Sequence, residues 1–547
     1  MPLTKEEVKF LIDRNDKMKA TRALYEPLWE DIAKFIFPSR VGIGYKPSPG
    51  AKQTTDIYDS AAIFALDQFA SSMAGAITPS SSRWHYLKIA DNRMNSIKEI
   101  MDWLELCGEL MHYQRLRSNF YSEIPETYAD LGAFGEGCIF TEENPIERKG
   151  FNGIYYKALA NSEYCTAENH QGMVDTLFRE FELSARAARD KWKNNLTKKI
   201  LDTAEKEPDK KFIFLHSVFP SENGGEKRYL SYYINLDEKE LISEGGYYEF
   251  PFAVPRMKKT SGEEYGRGQG HIALPDTKSL NKAKEFGLKA WAKDLDPPTF
   301  ERDGGVIGSL KLRPGGRNIV RDKDSIWMMD HRIRYDVSQI KEEELRKSIR
   351  QIFYSDQLQL QEGPEMTATE IQVRYELMQR LLGPSMGRIQ IELLKPLVER
   401  EFGIMMRARG LPMPPAILAQ LKVREIDVEY EGPLARAQRA ADVLGIQRLY
   451  NFAGQIAQIP PSDGISNPYD NIDSDEALRY TAEVSGAPSR VMRSIEQRTI
   501  LRENRLKMMK SEMQKRDMER IAEGASKAIP AIKAIGEMGK EGEQPTP

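Results

Sequence analysis

Three groups of residues in this sequence have types and spacings that could do chemistry. The first is the glycine string Gly266-Arg267-Gly268-Gln269-Gly270, the nearest approach in the chain to a phosphate-cradling loop. It departs from G-x-G-x-x-G and follows a proline-containing loop instead of a strand, so the strand–turn–helix that a dinucleotide needs is missing. A corner where the backbone turns sharply suits these glycines better. The second group is acidic: Asn471 to Glu476 reads N-I-D-S-D-E and resembles a calcium loop. Glu476 stands where the invariant glycine belongs, and Ala482 where the bidentate glutamate belongs, which makes a helix N-cap the better reading. Asp473 and Asp475 are still the local carboxylate pair that a metal-dependent nucleic-acid enzyme would require. The third group is basic, with Lys282, Lys284, Lys289 and Lys293 followed by Lys341, Arg346, Lys347 and Arg350. Such a set can meet phosphates, or it can form a solvated, salt-bridged helix face, as the adjacent Glu342, Glu343 and Glu344 favour.

Other catalytic signatures are missing from the sequence. It holds no G-x-x-x-x-G-K-[ST] phosphate loop, no G-x-S-x-G nucleophile elbow and no H-E-x-x-H. The six histidines (His85, His112, His170, His216, His271 and His331) are scattered, and none forms a cysteine–histidine cluster at ligand spacing. The reading is therefore of a chain that is not an enzyme, with no catalytic residue, cofactor or metal.

The basic residues sit on two helix-like segments that bracket a stretch unable to be helical. The first begins with Asp276 as expected N-cap, carries Leu280, Ala283, Gly287, Ala290 and Trp291 at helical spacing, and ends at Asp296-Pro297-Pro298. The second opens at Asp336, with Gln339 completing a capping box, and places Val337, Ile340, Leu345, Ile349, Ile352 and Phe353 on one face. Between them, residues 299–335 read as short strands joined by Gly-Gly and Pro-Gly turns. There Arg313, Arg317, Arg321 and Lys323 interleave with Val306, Ile307, Ile319, Ile326 and Trp327. That mixture suits a partner-binding surface, since arginine and tryptophan are favoured anchors, or else a small core containing Trp327. Each helix of roughly twenty residues spans about 30 Å, enough for the hairpin to project from a body as a stalk.

Composition narrows the classes. With 547 residues, 40% hydrophobic and 29% charged, the chain is expected to be a soluble globular protein with a sizeable core. The most apolar run, SAAIFALDQFASSMAGAIT, is interrupted by Asp67 and Gln68 and reads as a buried helix, not a membrane span. The N-terminus has acidic residues and no apolar core, so no signal peptide is expected, and Thr4 with Glu7 forms a capping box instead. Three widely separated cysteines (Cys107, Cys138 and Cys165) argue against a disulfide framework. A formal net charge of −3 excludes a protein that grips nucleic acid with its whole surface.

Along the chain, residues 4–37 read as one helix anchored by Leu11, Leu24, Leu28, Ile32 and Phe35 and stopped by Pro38. Helices then dominate to about residue 130, and β-rich runs such as KKFIFLHSVF and YLSYYINL fill 135–255 around a helical SARAARDKWKNNL. The result is an α+β body. A long helix capped by Thr367 and Glu370 follows, expected to kink at Gly383-Pro384 and at Pro396. Strand-like KVREIDVEYEG precedes a helix opened by Pro433 with Leu434, Ala441, Leu444, Leu449, Phe452 and Ile456 on its buried face. A charged helical segment runs from about Asp473 to Ile521, and the closing KEGEQPTP is expected to lack fixed structure.

Several strings, in order, resemble those of bacteriophage portal proteins, specifically the head-to-tail connecting family of short-tailed (podovirus-type) phages. They are DLGAFGEGCIF at 130–140, YYEFPFAVPRM at 247–257, EEYGRGQGHIALPDTKSLN at 263–281, the Pro297-Pro298 step, PGGRNI at 314–319, TATEIQVRYELMQRLLGP at 367–384 and SGAPSRVMRS at 485–494. The resemblance implies an α+β phage portal fold with a helical stem hairpin, a small β-containing clip, an α/β wing and a helical C-terminal crown. On that scheme the wing is 1–275, the first stem helix 276–296, the clip 297–335 and the second stem helix 336–358. Residues 359–430 then hold the tunnel loop, the kinked helix and the wing return, 431–525 the crown or barrel helix, and 526–547 a flexible tail. The implied DNA-channel residues are Lys341, Arg346, Lys347, Arg350, Gln361 and Glu362. The clip docking residues would be Arg313, Arg317, Arg321, Lys323 and Trp327, and the corners Gly266, Gly268, Gly270, Pro297, Pro298, Gly383 and Pro384. The implied assembly is a homo-oligomeric ring, a dodecamer, at the portal vertex of the virion, built in the host cytoplasm without membrane insertion. Its partners would be terminase, tail adaptor proteins, major capsid and scaffolding proteins, and double-stranded DNA in transit. Against this stand an internal scaffold or coiled-coil protein, suggested by the charged C-terminal helix, and the metal-dependent enzyme above.

Overall fold

The computed structural model describes all residues except 1–3, 46–47, 49, 82, 90–96, 145–150, 223–224, 296–298, 310–318, 329–334, 356–382, 384, 421–432, 459–466, 486–490, 494 and 539–547. The chain divides into a first unit of residues 1–94 and 103–437 and a second of residues 95–102 and 438–547.

Thr4 starts helix α1 (Lys5–Arg22) through the expected capping box with Glu7. The single helix expected over 4–37 is instead broken at 23–25, and α2 (Glu26–Phe35) resumes with Pro27 in its first turn. Leu24 is no anchor: it lies in the break and is 80% exposed. Proline fits the first turn, where its missing N–H costs nothing, and so permits a new helix there but not continuation of the old one. α3 (Ala61–Ile77) is the apolar run, buried on one face through Ala65, Phe69 and Met73, while Phe64 stays exposed. α4 (Lys98–Arg117) and α5 (Phe120–Phe134) follow, α5 packing along α3.

The β-rich region forms two antiparallel sheets. β1 (Ile139–Glu143) pairs with β2 (Ile154–Ala158) and with the short β8 (Phe252–Ala253). β3 (Tyr164–Glu168), β4 (Val174–Ser184), β5 (Lys211–Pro220), β6 (Tyr229–Asn235) and β7 (Glu240–Tyr247) make a five-stranded meander in that order. Because strand side chains alternate faces, Tyr232 and Ile234 reach one side of the meander and Tyr233 the other. The first face closes on Val8 and Leu11 of α1. The second closes on Ala188 and Trp192 of α6 (Ala185–Trp192) and Ile200 of α7 (Lys198–Lys206). Helices thus cover both sides of the sheet, giving the α+β body expected from the sequence.

α8 (Gln269–Leu295) and α9 (Tyr335–Ile352) form an antiparallel pair, with the two-stranded ribbon β9 (Thr299–Glu301) and β10 (Ile326–Met328) between them in sequence. A π-helical segment, Gln390–Leu394, leads into α10 (Lys395–Arg407), and the short α11 (Ala416–Gln420) follows. The second unit holds the rest of α12 (Pro433–Ile456), together with α13 (Ser474–Ser485) and α14 (Ile495–Met538). Asp473 Oδ1 accepts from the N–H groups of Asp475 and Glu476 at 3.0 Å each, so the acidic string is a helix cap. The face of α12 expected to be buried is open in the single chain, with Leu444 at 43%, Leu449 at 50% and Phe452 at 61% exposure. Residues 422–432 and the 367–382 helix expected from the sequence lie outside the described residues.

Candidate functional site

The α8–α9 hairpin and its root are where most of the candidate residues converge. The root begins earlier than the sequence suggests. α8 starts at Gln269 and runs through Pro275, so Asp276 is not its N-cap; its carboxylate accepts from Ser348 Oγ of α9 at 2.6 Å. Helix is possible there because Gly270, Ala273 and Leu274 are buried against the body, α5 included, and that packing offsets the hydrogen bond lost at proline.

The glycine string is a backbone-to-backbone joint. Gly135 closes α5 with φ of 80°, its N–H bonded to the Leu131 carbonyl at 3.0 Å. A Cβ on Gly268 would sit 2.7 Å from the Gly132 and Leu131 carbonyl oxygens, and one on Gly270 2.2 Å from the Ala133 oxygen. At Gly266 the obstacle is the Gly135 oxygen, also at 2.2 Å. The strings DLGAFGEG and GRGQG, 130 residues apart, are thus two halves of one contact that only glycine permits.

Polar contacts fix the lower half of the hairpin. Asn281 Oδ1 accepts from the backbone N–H of Tyr58 at 2.7 Å and of Asp59 at 3.1 Å, and Arg346 of α9 binds the Asp59 carboxylate at 2.8 Å. Lys278 pairs with Asp31 at 2.7 Å, and Lys284 with Glu342 at 3.2 Å. The foot of α9 buries Ile349 and Phe353, the latter ring 6.4 Å from Phe69 of α3.

The outer half is apolar and open. On α8, residues 273, 277, 280, 284, 288, 291 and 295 recur at the 3–4 spacing of one helix face. Ala273, Thr277 and Leu280 are buried, whereas Leu288, Trp291 and Leu295 are 45%, 55% and 67% exposed. Ile340 on α9 is 61% exposed.

The charged candidates split. Arg346 is engaged with Asp59, Glu342 and Glu343, and Arg350 with Glu343 at 2.7 Å, so both serve the hairpin itself. Lys341 and Lys347 are exposed and make no ion pair among the described residues. Gln361, Glu362, Arg313, Arg317, Pro297, Pro298 and Pro384 lie outside the described residues, while Gly383 is helical and exposed. In the ribbon, Trp327 is opposite Phe300 in register and stacks on it, with ring centroids 5.8 Å apart and planes at 15°. Both are partly exposed, as are Arg321, Lys323, Ile307 and Ile319, so Trp327 belongs to an open surface more than to a core.

Sequence reasoning missed the buried ion pairs that clamp the first unit. Arg40 holds Asp130 through two bonds of 2.9 and 2.8 Å, and burial pushes the Asp130 carboxyl up to about 6. Arg115 is fully buried, bonded to Glu401 and, at 2.7 Å, to His85, with its guanidinium 4.4 Å over the Trp84 ring. Burial and the Arg115 charge hold His85 well below the ordinary histidine range. Arg256 joins Glu392 and Glu168. These partners lie 88 to 286 residues apart, and no local pattern announces them. Among the described residues no trio of His, Cys, Asp or Glu is placed to hold a metal ion.

A family model described as bacteriophage head to tail connecting protein matches residues 9–492. The chain is 26% identical over 542 residues to a probable portal protein of Bordetella phage BPP-1, with 95% of each covered. It is 26% identical over 533 residues to the portal protein of Salmonella phage epsilon15, with 92% of each covered. Among solved structures, a chain from the neck of an empty GTA particle is 11% identical with a TM-score of 0.36, covering 80% of this chain and 95% of that one. One from the virion of a native gene transfer agent particle is 10% identical with a TM-score of 0.34, covering 82% and 98%. At such scores the two structures add nothing to the assignment.

Proposed function

Because the chain belongs to the bacteriophage head to tail connecting protein family and is a portal subunit, we propose that it forms a ring at one capsid vertex through which double-stranded DNA enters and leaves. The family match over 9–492 carries this reading. The hairpin supports it: Leu288, Trp291 and Leu295 extend a buried stripe into the open, and a contiguous exposed apolar face marks an interaction surface. A neighbouring copy in closed cyclic symmetry would cover it. The hairpin would then be the stem, the ribbon around Trp327 the clip, and the β-rich body the wing, with α12 to α14 as the crown. Lys341 and Lys347, together with the exposed Lys293 of α8, would face DNA, while Arg346 and Arg350 would shape the stem. Arg313, Arg317, Arg321, Lys323 and Trp327 would dock terminase and tail adaptor, and Gln361 and Glu362 would lie on the tunnel loop. The assembly would sit in the virion with capsid and scaffolding proteins around it. The translocating force would come from the terminase. No catalytic role is proposed.

The test is a mass measurement of purified protein across a concentration series, with negative-stain images of the same samples. One discrete large oligomer with a central hole is expected. A monomer at every concentration overturns the reading.

A further inference from the structure

Arg256 is wholly buried, and its five N–H donors are all used. They reach Glu392 at 3.2 and 2.6 Å, Glu168, the Glu264 carbonyl at 3.2 Å and the Gly172 carbonyl at 2.9 Å. Its backbone N–H adds a further bond to Glu392 at 2.9 Å. The side chain also abuts the glycine joint, since a Cβ on Gly266 would lie 3.0 Å from Arg256 Cβ. The loop into α8 and the helical turn at 390–394 are therefore held by one guanidinium.

Pro396 explains how Glu392 reaches it. Proline has no N–H and its ring crowds the carbonyl four residues back, which here is that of Glu392. The helix answers by widening to a π turn in which the Lys395 N–H bonds the Gln390 carbonyl. The added residue turns Glu392, Leu393 and Leu394 inward together, three consecutive buried positions that a regular helix face does not offer, while Ile391 is exposed. The proline that the sequence marks as a kink acts as a positioning residue for Glu392.

We infer that the Arg256–Glu392 pair makes the 385–407 helix and the root of the α8 hairpin a single mechanical body. This coupling lies within one subunit and holds whether or not rings form.

The test is amide hydrogen exchange on the full chain for wild type, Glu392→Asp, Glu392→Gln and Pro396→Ala. In Glu392→Gln, exchange is expected to rise about tenfold or more in both 264–275 and 385–395, with 103–117 unchanged, as expected of a local opening. Pro396→Ala should reproduce it, because restoring an α turn rotates Glu392 by about 100°. Glu392→Asp keeps the charge with a shorter reach, so both segments should rise together to an intermediate level. The comparator Glu401→Gln, which breaks the Arg115 pair on the same helix, should loosen 103–117 and leave 264–275 as in wild type. Should Glu392→Gln unfold the chain, the Asp variant decides. The inference is overturned if 264–275 keeps wild-type protection while 385–395 loses it, or if Glu401→Gln loosens 264–275 equally.

Discussion

Glu136 sits fully buried beside the glycine joint, and replacing it by glutamine should change how stability depends on pH. Its Oε1 accepts from the Tyr164 hydroxyl at 3.1 Å, and its Oε2 is buried with no hydrogen-bond partner among the described residues. Burial raises the carboxyl from an ordinary 4.5 to about 8, with the Arg256 charge and the Tyr164 hydroxyl opposing the rise and Glu392 adding to it. The folded chain therefore holds this proton between about pH 4.5 and about pH 8, where the unfolded chain has released it. Stability contributed by the protonated acid is complete below the lower value and is lost as pH rises through the window. At about 1.4 kcal/mol per pH unit, the loss is on the order of 3 kcal/mol by pH 7 and levels off near 5 kcal/mol above pH 8. Glutamine cannot ionise, and its amide in place of the unpartnered oxygen costs a pH-independent ~1–3 kcal/mol. Urea unfolding of wild type and Glu136→Gln from pH 5 to 9 should show wild type losing ground to the variant up to pH 8 and running parallel beyond it. Asp130, pushed up to about 6, titrates in both proteins and cancels from the difference. Parallel curves across the whole range would refute the reasoning.

Gly268→Ala should destabilise the first unit by about 3 kcal/mol or more, read as a lowered urea midpoint, because the obstructing atoms at 2.7 Å are backbone and cannot step aside. Trp291→Ser should leave the unfolding of the subunit within about 0.5 kcal/mol of wild type, as for other exposed positions, yet lower the ring fraction in a mass measurement. A large stability loss with normal rings would contradict the stem assignment. Replacing Gly304–Trp327 by a short Gly/Ser linker should leave rings visible by electron microscopy, somewhat less stable. DNA-filled heads, counted by nuclease protection, and tail attachment should fail together, whereas normal packaging and attachment by that variant would remove the clip assignment.

Local physics made much of the architecture legible in the sequence. The Thr4–Glu7 box and the Asp473 cap act within one helical turn, and the alternation in β5 and β6 sorts side chains between faces wherever the sheet lies. The glycines of 130–137 and 266–270 were visible as unusual strings, and the helical spacing of Leu280, Ala283, Gly287, Ala290 and Trp291 marked the part of α8 beyond Asp276. Which glycine faces which carbonyl depended on a segment more than 100 residues away, and where along α8 burial stops and exposure begins was decided by tertiary packing, α9 included. The same holds for helix limits: Pro275 reads as a break, and only the packing of Gly270 and Leu274 against the body carries α8 back to Gln269. The break at 23–25 was likewise hidden, since Pro27 permits a helix start as readily as it forbids continuation. Charge showed the opposite limit. Arg346 and Lys347 are adjacent basic residues in the sequence, yet the first closes on Asp59 across the fold and the second makes no ion pair among the described residues. A charge reveals its role only through the distance to its counter-charge, and that distance is set by tertiary structure, as are the pairs Arg40–Asp130, Arg115–Glu401 and Arg256–Glu392.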